Sequence, residues 1–389
     1  MNDFEPADTR IMTIVHNALR RDVGRVQTAL GEWPYPDPVQ RAAIAEHLAW
    51  LIGFLHMHHH AEDHGLYPIV RQRVPEAAAV LDAMGRDHHV LADAIEGVER
   101  AAREYAADDT AREALLGAID HLAAVMLPHL QREEDEAMPI VSQCMSRAEW
   151  THWDQQYNLD TRSFAERVFA GLWLMDGAGE GDRDFVRSLI PRPLSRAIEL
   201  LRSRGYDHRA HRCWYLPQHS HIRRQRPSSR VDVEVAAPPE AVWAVLTDPS
   251  RIPEWSHECC EVELLDPGQV GLGSRFRGGN RVGRNRWSRT CTVFRCEPAR
   301  EFGYLTSGGP GDATAWHFRL EKTATGTRLT QAYRIVSMPS WMSVWVGVVM
   351  TSHNDRSAAL RKDLVRLAAI AEEVASATWP NSRTGCDQT

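Results

Sequence analysis

HHHAEDHGLYPIV at residues 58–70 and HLQREEDEAMPIV at residues 129–141 are two copies of one pattern. Each opens on a His and places a Glu four residues later, His58 with Glu62 and His129 with Glu133. Each then reaches Pro-Ile-Val at the same further offset, Pro68-Ile69-Val70 and Pro139-Ile140-Val141. A lone His precedes each copy at nearly the same distance, His16 before the first and His88 before the second. Residues four apart share a helix face, so each copy aims an imidazole and a carboxylate at one point. The first part of the chain therefore reads as a two-fold internal repeat whose residue types suit a non-haem metal centre.

Outward from the motifs, apolar residues recur at helical spacing. The stripes are Met12, His16, Leu19, Val23, Val26, Leu30; Ile44, Leu48, Leu51, Leu55 running into His58, Glu62, Leu66, Ile69; Leu81, Met84, His88, Leu91, Ile95, Val98; and Leu115, Ile119, Leu122, Met126 running into His129, Glu133, Ala137, Ile140. They are core faces of four amphipathic helices, and the candidate ligands occupy core slots in all four. A buried carboxylate is costly unless its charge is compensated. Two on facing helices repel unless a cation sits between them. A lone His on an apolar face is more often a satisfied core residue than a ligand, but here every stripe carries its ligand type in register. His47, His56, His64 and His121 are read as surface or core residues. His59, His60 and His89 point off the stripes and are read as supporting or solvated, and His89 with Asp93 as a surface contact.

The 389 residues carry a formal net charge of -7 and are 43% hydrophobic, which suggests two or three domains, each able to bury a core. Mild acidity argues against a dedicated nucleic-acid binder. Nearly all basic residues are Arg, with Lys322 and Lys362 the only lysines. The seven cysteines are scattered, without metal-type spacing or a signal peptide, so reduced thiols in a cytoplasmic protein are expected. The adjacent Cys259 and Cys260 are read as buried strand thiols. The apolar stretch 341–350 is too short to span a bilayer.

Beyond the bundle, residues 146–208 look helical. Trp150, Trp153, Tyr157, Phe164, Phe169 and Trp173 are dense enough to pack on it. A second helical piece is expected over 185–204, stopping at Gly205. Residues 209–228 are Arg-rich, with Pro217 and Pro227, and read as an exposed basic linker. From Ser229 the period switches: Val231, Val233 and Val235 alternate with polar residues as in a half-buried strand. Pro238-Pro239-Glu240 opens a short helix. Strand-like runs follow at 261–265, 274–277, 286–296, 301–306, 315–321 and 328–336. A closing helix at about 350–375 has Leu360, Leu364, Leu367 and Ile370 on its apolar face, and 377–389 reads as a flexible tail.

The residues around the His-x-x-x-Glu motifs resemble the hemerythrin-like, or HHE cation-binding, domain. That resemblance implies an all-α up-down four-helix bundle over 1–145 with a di-iron centre. By position its ligands would be His16, His58, Glu62, His88, His129 and Glu133, with the two Glu bridging the metals. The extension "WLMDG…LIPRPLSR" is similar to one that follows the bundle in actinobacterial proteins of this family. Oxygen-carrying hemerythrins have a further His four residues after the first on the third helix. Here that position is Ala92, implying a more open iron and a chemistry other than simple oxygen carriage. Imidazole and carboxylate without a nearby thiolate fit iron, with zinc or manganese as alternatives. Ferritin-like bundles use a different arrangement, Glu-x-x-His with lone Glu.

VDVEVAAPPEAVWAVLTDPSRIPEW at 231–255 resembles the opening of the START-like superfamily that includes the polyketide cyclase/dehydrase (SRPBCC) proteins. The resemblance implies an α+β helix-grip domain over 229–376, an antiparallel sheet wrapped on a long C-terminal helix around an apolar cavity. Trp255, Trp287, Tyr304, Trp316, Tyr333 and Trp345 are candidates to line it. His257 and His317 read as isolated, and fold alone gives no activity. The expected protein binds or reduces a small oxidant (dioxygen, peroxide or nitric oxide) at two iron ions, and holds a hydrophobic small molecule in its second domain. The alternatives are a di-iron oxidative enzyme acting on an organic substrate held by the START-like domain, and a non-catalytic iron or redox sensor.

Overall fold

The computed structural model describes residues 5–189, 206–214, 228–309, 311–339, 342, 346 and 353–378. The chain forms two compact units, Met1–Leu216 and Pro217–Thr389.

In the first unit the stripes become α1 (Arg10–Gly31), α2 (Pro38–Ala61), α3 (Tyr67–Arg73), α4 (Ala78–Ala107), α5 (Arg112–Arg132) and α6 (Met138–Cys144). Asp37 starts α2, its carboxylate accepting the Val39 and Gln40 N–H groups, while Pro38 fills a first-turn position that needs no donor. Helix α4 packs on α2 and α5, and α1 on α5. Two apolar clusters result. One holds Leu19, Val23, Leu55, Leu91, Ile95, Leu122 and Met126. The other holds Met12, Leu66, Tyr67, Leu81, Met84, Ala137 and Met138. On every long helix the candidate ligand lies in sequence between a residue of one cluster and a residue of the other, so the polar side chains form a layer between two apolar cores.

Neither motif helix is continuous. Glu62–Leu66 and Glu133–Ala137 are π turns, closed by Tyr67 N–H to the Glu62 carbonyl and Met138 N–H to the Glu133 carbonyl. In each repeat a Pro stands six residues after the Glu and lacks the N–H an α-helix would use. The wider turn moves the buried face by one residue: Val70 and Val141 are buried, whereas Ile69 and Ile140, expected on the stripe, are only half-buried. Single π turns often mark functional sites in helices.

The extension consists of α7 (Arg147–Asp154), α8 (Phe164–Met175), α9 (Glu180–Ser188) and α10 (Tyr206–Trp214). Capping boxes start α7 at Ser146 with Glu149 and α8 at Ser163 with Glu166. The extension also closes the first π turn: Trp153 Nε1 donates to the Ala61 carbonyl (3.0 Å), and Tyr157 OH donates to the His64 carbonyl (3.3 Å). Gly65 permits this approach, since a Cβ there would lie 2.6 Å from both Trp153 Nε1 and the Tyr157 ring. Residues 209–214, expected in an exposed linker, instead end α10, where Gln40 Nε2 bonds the Cys213 carbonyl (2.8 Å) and buried Cys213 faces α2. The expected helix at 185–204 falls largely outside the described residues.

The second unit is a seven-stranded antiparallel sheet: β1 (Ser228–Val235), β2 (Cys259–Leu264), β3 (Arg275–Val282), β4 (Asn285–Glu297), β5 (Glu301–Gly309), β6 (Asp312–Lys322) and β7 (Thr327–Ser337), in the order β1-β7-β6-β5-β4-β3-β2. Helices α11 (Pro239–Leu246) and α12 (Ile252–Trp255) precede β2, and α13 (Ser357–Thr378) closes the unit against β1 and α11. This is the helix-grip architecture. Leu360, Leu364 and Leu367 of α13 are buried, with Ile370 at the margin of the core. The described part of that helix starts at Ser357, whose N–H is accepted by Asp355 Oδ1 (3.0 Å). Cys259 is buried but Cys260 is exposed, because successive strand residues face opposite sides. No described helix is long and apolar enough to cross a membrane.

Replacing Trp153 by Phe removes the indole bond to the Ala61 carbonyl. The expected cost is about 0.5–1.5 kcal/mol of stability, read as a lowered denaturation midpoint of the full chain.

Candidate functional site

The two repeats cross. Glu62 of the first approaches its own His58, Oε1 to Nε2 at 3.1 Å, and His88 of the second half, Oε2 to Nε2 at 3.4 Å. Glu133 of the second approaches its own His129 at 3.9 Å and His16 of the first half at 3.3 Å, both through Oε2. Each lone His therefore meets the paired motif of the other half. The residue after each Glu repeats the crossing: Asp63 Oδ1 takes His88 Nδ1 (2.8 Å), and Glu134 Oε1 takes His16 Nδ1 (2.7 Å). Asp87 Oδ2 lies 3.5 Å from His129 Nδ1. Arg20 and Arg132 bond Glu134 and Asp87 from outside, and Tyr67 OH donates to Glu133 Oε1 (3.0 Å).

His59 departs from the sequence reading, which held it off the stripe. It is 7% exposed, stacks on His88 (4.3 Å between centroids) and stands edge-on to His129 (5.6 Å). Adjacent helix residues diverge by about 100°, so His58 and His59 straddle the inward direction of α2, one towards His16 and the other towards α4 and α5. Ala92, whose side chain suggested an open coordination position, is exposed to solvent and lies on the outer face of α4. His47 is buried against Asp22 (2.7 Å), while His56, His60, His64, His89 and His121 are exposed.

Two groups of ligand-type atoms result. His59, His88 and His129 form one; His16, His58 and Glu133 form the other; within each, the atoms lie within 4.8 Å of one another. Glu62 turns one oxygen to each. The inner atoms make no hydrogen bonds: the Nε2 atoms of His16, His58, His59, His88 and His129, both carboxylate oxygens of Glu62, and Oε2 of Glu133. Such concentrated orphaned polarity in a dry core requires a partner that the protein does not supply. This donor set, imidazole and carboxylate without thiolate, fits a cation of the transition series.

The electrostatics agree. Burial holds His58 down to about 3 and His129 to about 4, keeping these imidazoles neutral and able to ligate, and burial also lowers His59 well below its usual range. Burial, then Glu133, pushes Glu62 well above the carboxylate range. Burial opposes ionisation of Glu133, but His16, 3.3 Å away, with His58 and His129, outweighs it and holds its carboxyl low.

In the second unit a cavity of about 440 Å³ opens between sheet and α13. Trp255, Trp287, Tyr304, Trp316 and Tyr333 line it, while Trp345 lies outside the described residues. His317 is buried without lining it. His257 is not isolated: its Nδ1 meets Asp363 Oδ2 (2.6 Å), its Nε2 meets Glu258 Oε1 (3.2 Å), and Arg356 and His353 also bond Glu258 (2.7 and 3.1 Å). Partners 106 residues apart could not be read from local spacing.

Fold and site define a two-domain chain, a helical cation-binding bundle followed by a helix-grip domain with an apolar cavity. Residues 7–141 match the hemerythrin HHE cation binding domain, and residues 226–372 match the family of polyketide cyclase / dehydrase and lipid transport proteins. The chain is similar to the solved structure of the Zhui aromatase/cyclase from Streptomyces sp. R1128 (20% identity, 39% of this chain and 96% of that one, TM-score 0.31). It is also similar to a protein from Chromobacterium violaceum (14%, 38% and 99%, TM-score 0.30) and to a Polyketide_cyc-like protein from Corynebacterium glutamicum (21%, 41% and 97%, TM-score 0.26). No curated protein matches the chain.

His257 makes a pH prediction. Its bonds to Asp363 and then Glu258 raise it from 6.5 to about 9 against the opposing effect of burial. Folding takes up its proton, so its contribution is full below the unfolded value of 6.5 and is lost as pH rises through 9. Denaturation of the full chain across this window should show a decline that a His257→Gln variant lacks.

Proposed function

We propose that the N-terminal bundle holds two non-haem iron ions and uses them on a small oxidant, with an apolar molecule carried in the cavity of the second unit. The convergence of unbonded inner atoms on one buried point carries this reading. His16, His58 and Glu133 would hold one ion; His59, His88 and His129 the other; Glu62, with one oxygen towards each group, would bridge. Iron held in this way supplies one-electron redox chemistry towards dioxygen, peroxide or nitric oxide.

The chain's own residues prepare the site. Asp63 and Glu134 accept from the Nδ1 atoms of His88 and His16, which leaves each Nε2 free to ligate. Tyr67 fixes the Glu133 carboxylate by donating to Oε1, leaving Oε2 facing inward. Glu62, Glu133 and His16 are 0% exposed, so bulk water is kept from the layer. His59 completes the second group with His88 and His129, three imidazoles of which α4 supplies one.

Glu62→Ala and Glu133→Ala are expected to lose most bound iron, measured by elemental analysis of purified protein. His59→Ala should lower iron occupancy and alter the near-ultraviolet absorption of the ferric form, whereas exposed His60→Ala should change neither. Unchanged iron in both Glu variants overturns the assignment. Iron retention should fall in acid, because the imidazoles must shed their protons to bind.

A further inference from the structure

The His58 imidazole has a second set of neighbours that the proposed centre does not use. Phe54, one turn earlier on α2, lies nearly parallel to it (6.2 Å between centroids, 27°). Phe54 touches Trp173 of α8 (4.8 Å) and Trp50 (5.8 Å), which touch each other at 5.2 Å. From Trp50 the rings continue to Phe169 (4.8 Å) and on to Tyr206 of α10 (5.3 Å). Trp173 is 0% exposed and Tyr206 is buried, whereas Trp50 and Phe169 between them are half-buried, so the series reaches solvent at Trp50 and Phe169.

The oxidisable rings at both ends of this series rest their protons on carboxylates. Trp173 Nε1 donates to Asp22 Oδ2 (2.7 Å), and Tyr206 OH donates to Asp176 Oδ2 (2.9 Å). Burial opposes the charge on Asp22, but His47 and Arg21 outweigh it and hold its carboxyl below the usual range. A buried indole N–H needs an acceptor, but a backbone carbonyl suffices for packing. An ionised carboxylate also offsets the positive charge that an indole gains when it loses an electron. Guanidinium groups lie over both Phe54 (Arg162, 4.5 Å) and Trp173 (Arg21, 5.8 Å), the latter paired with Asp22 (2.8 Å); a phenyl ring is harder to oxidise than an indole, so Phe54 is a bridge rather than a stop.

We infer that this series of rings conducts single electrons between the surface of the N-terminal unit and the His58 side of the centre, with Trp173 as the first stop. The inference rests on the metal reading above. Trp173 gives one electron through Phe54 and His58 to the metal centre, which peroxide has oxidised and which each transfer reduces by one electron. Asp22, held ionised, keeps the hydrogen bond from Nε1 and its charge offsets the indole radical cation. Trp50 refills Trp173 with an electron, and a one-electron reductant of the thiol or quinol class refills Trp50. One electron enters for each that leaves.

The test uses the full chain loaded anaerobically with ferrous iron, its metal content measured, then mixed with hydrogen peroxide and freeze-quenched. Electron paramagnetic resonance should show a tryptophan radical. Trp173→Phe should lose or relocate it, Phe54→Leu should delay it, and Trp243→Phe in the second unit should leave it unchanged. Peptide mass spectrometry should find oxidation concentrated at Trp173 and Trp50. If Trp173→Phe does not fold, Trp50→Phe serves, with a longer-lived Trp173 radical expected. Iron that binds and is oxidised without a tryptophan or tyrosine radical overturns the conduction and leaves the metal reading intact. A radical unaffected by the Trp173, Trp50 and Phe54 changes also overturns it. Absence of bound iron overturns both.

Discussion

Two fully buried carboxylates, Glu62 and Glu133, are the constraint around which the N-terminal unit is arranged. Charge in a dry helical core is costly, and breaking its compensation is costlier than never burying it. The protein answers in layers of alternating sign capacity. From Glu133 outward the order is His16, then Glu134, then Arg20 in one direction, and His129, then Asp87, then Arg132 in another. From Glu62 it is His88 and then Asp63. Glu134 and Asp63 fix their imidazoles by hydrogen bonds, Asp87 stands 3.5 Å from His129 Nδ1, and each outer guanidinium returns the assembly to water. Only the centre of this alternation has no compensating charge from the protein, and the proposed cations complete it.

Much of this was legible because helical periodicity is a strong signal when it runs unbroken. The 3-4 spacing gave the four long helices, and the ligand-type residues interrupted the apolar stripes without interrupting their register. What escaped followed from geometry that periodicity does not encode. A π turn changes the residues per turn, so the buried positions slid from Ile69 to Val70 and from Ile140 to Val141. His59 sits beside a stripe residue, and whether it faces core or solvent depends on which two helices flank α2. Asp63 and Glu134 follow each Glu directly; the acidic pairs were visible in the sequence, but their targets lie on other helices. The tryptophan density of the extension encodes packing, but the acceptors of Trp153 and Trp173 lie on α2 and α1, which density does not encode.

The second unit shows the opposite balance. Its strands were readable from alternation and turns, and the superfamily opening from a single segment. Its chemistry was not, because a curved sheet brings distant residues together. Glu258 directly precedes β2, yet it is paired with Arg356 and His353 just before α13, and His257 beside it reaches Asp363 about two turns further on. Burial opposes that charge, but Arg356 and the two His outweigh it and hold the Glu258 carboxyl low. The same curvature leaves the cavity, with an apolar wall and a polar corner at His257, Glu258 and Arg356.

The crossing of the repeats joins site and fold. Because His16 meets Glu133 and His88 meets Glu62, neither half assembles its groups alone; the layer exists only when all four long helices have met. A cation that recognises this layer therefore binds the folded bundle and not the unfolded chain, and its binding free energy adds to the stability of the bundle by mass action. The layer also separates the two apolar clusters, each of which would otherwise continue through it. Replacing these polar residues by apolar ones would join the clusters into a single core, and such exchanges are often neutral or stabilising in other proteins. Stability alone thus does not account for a layer of imidazoles and carboxylates here; a charged occupant does, because it turns the least favourable layer of the bundle into the one that binds its helices together.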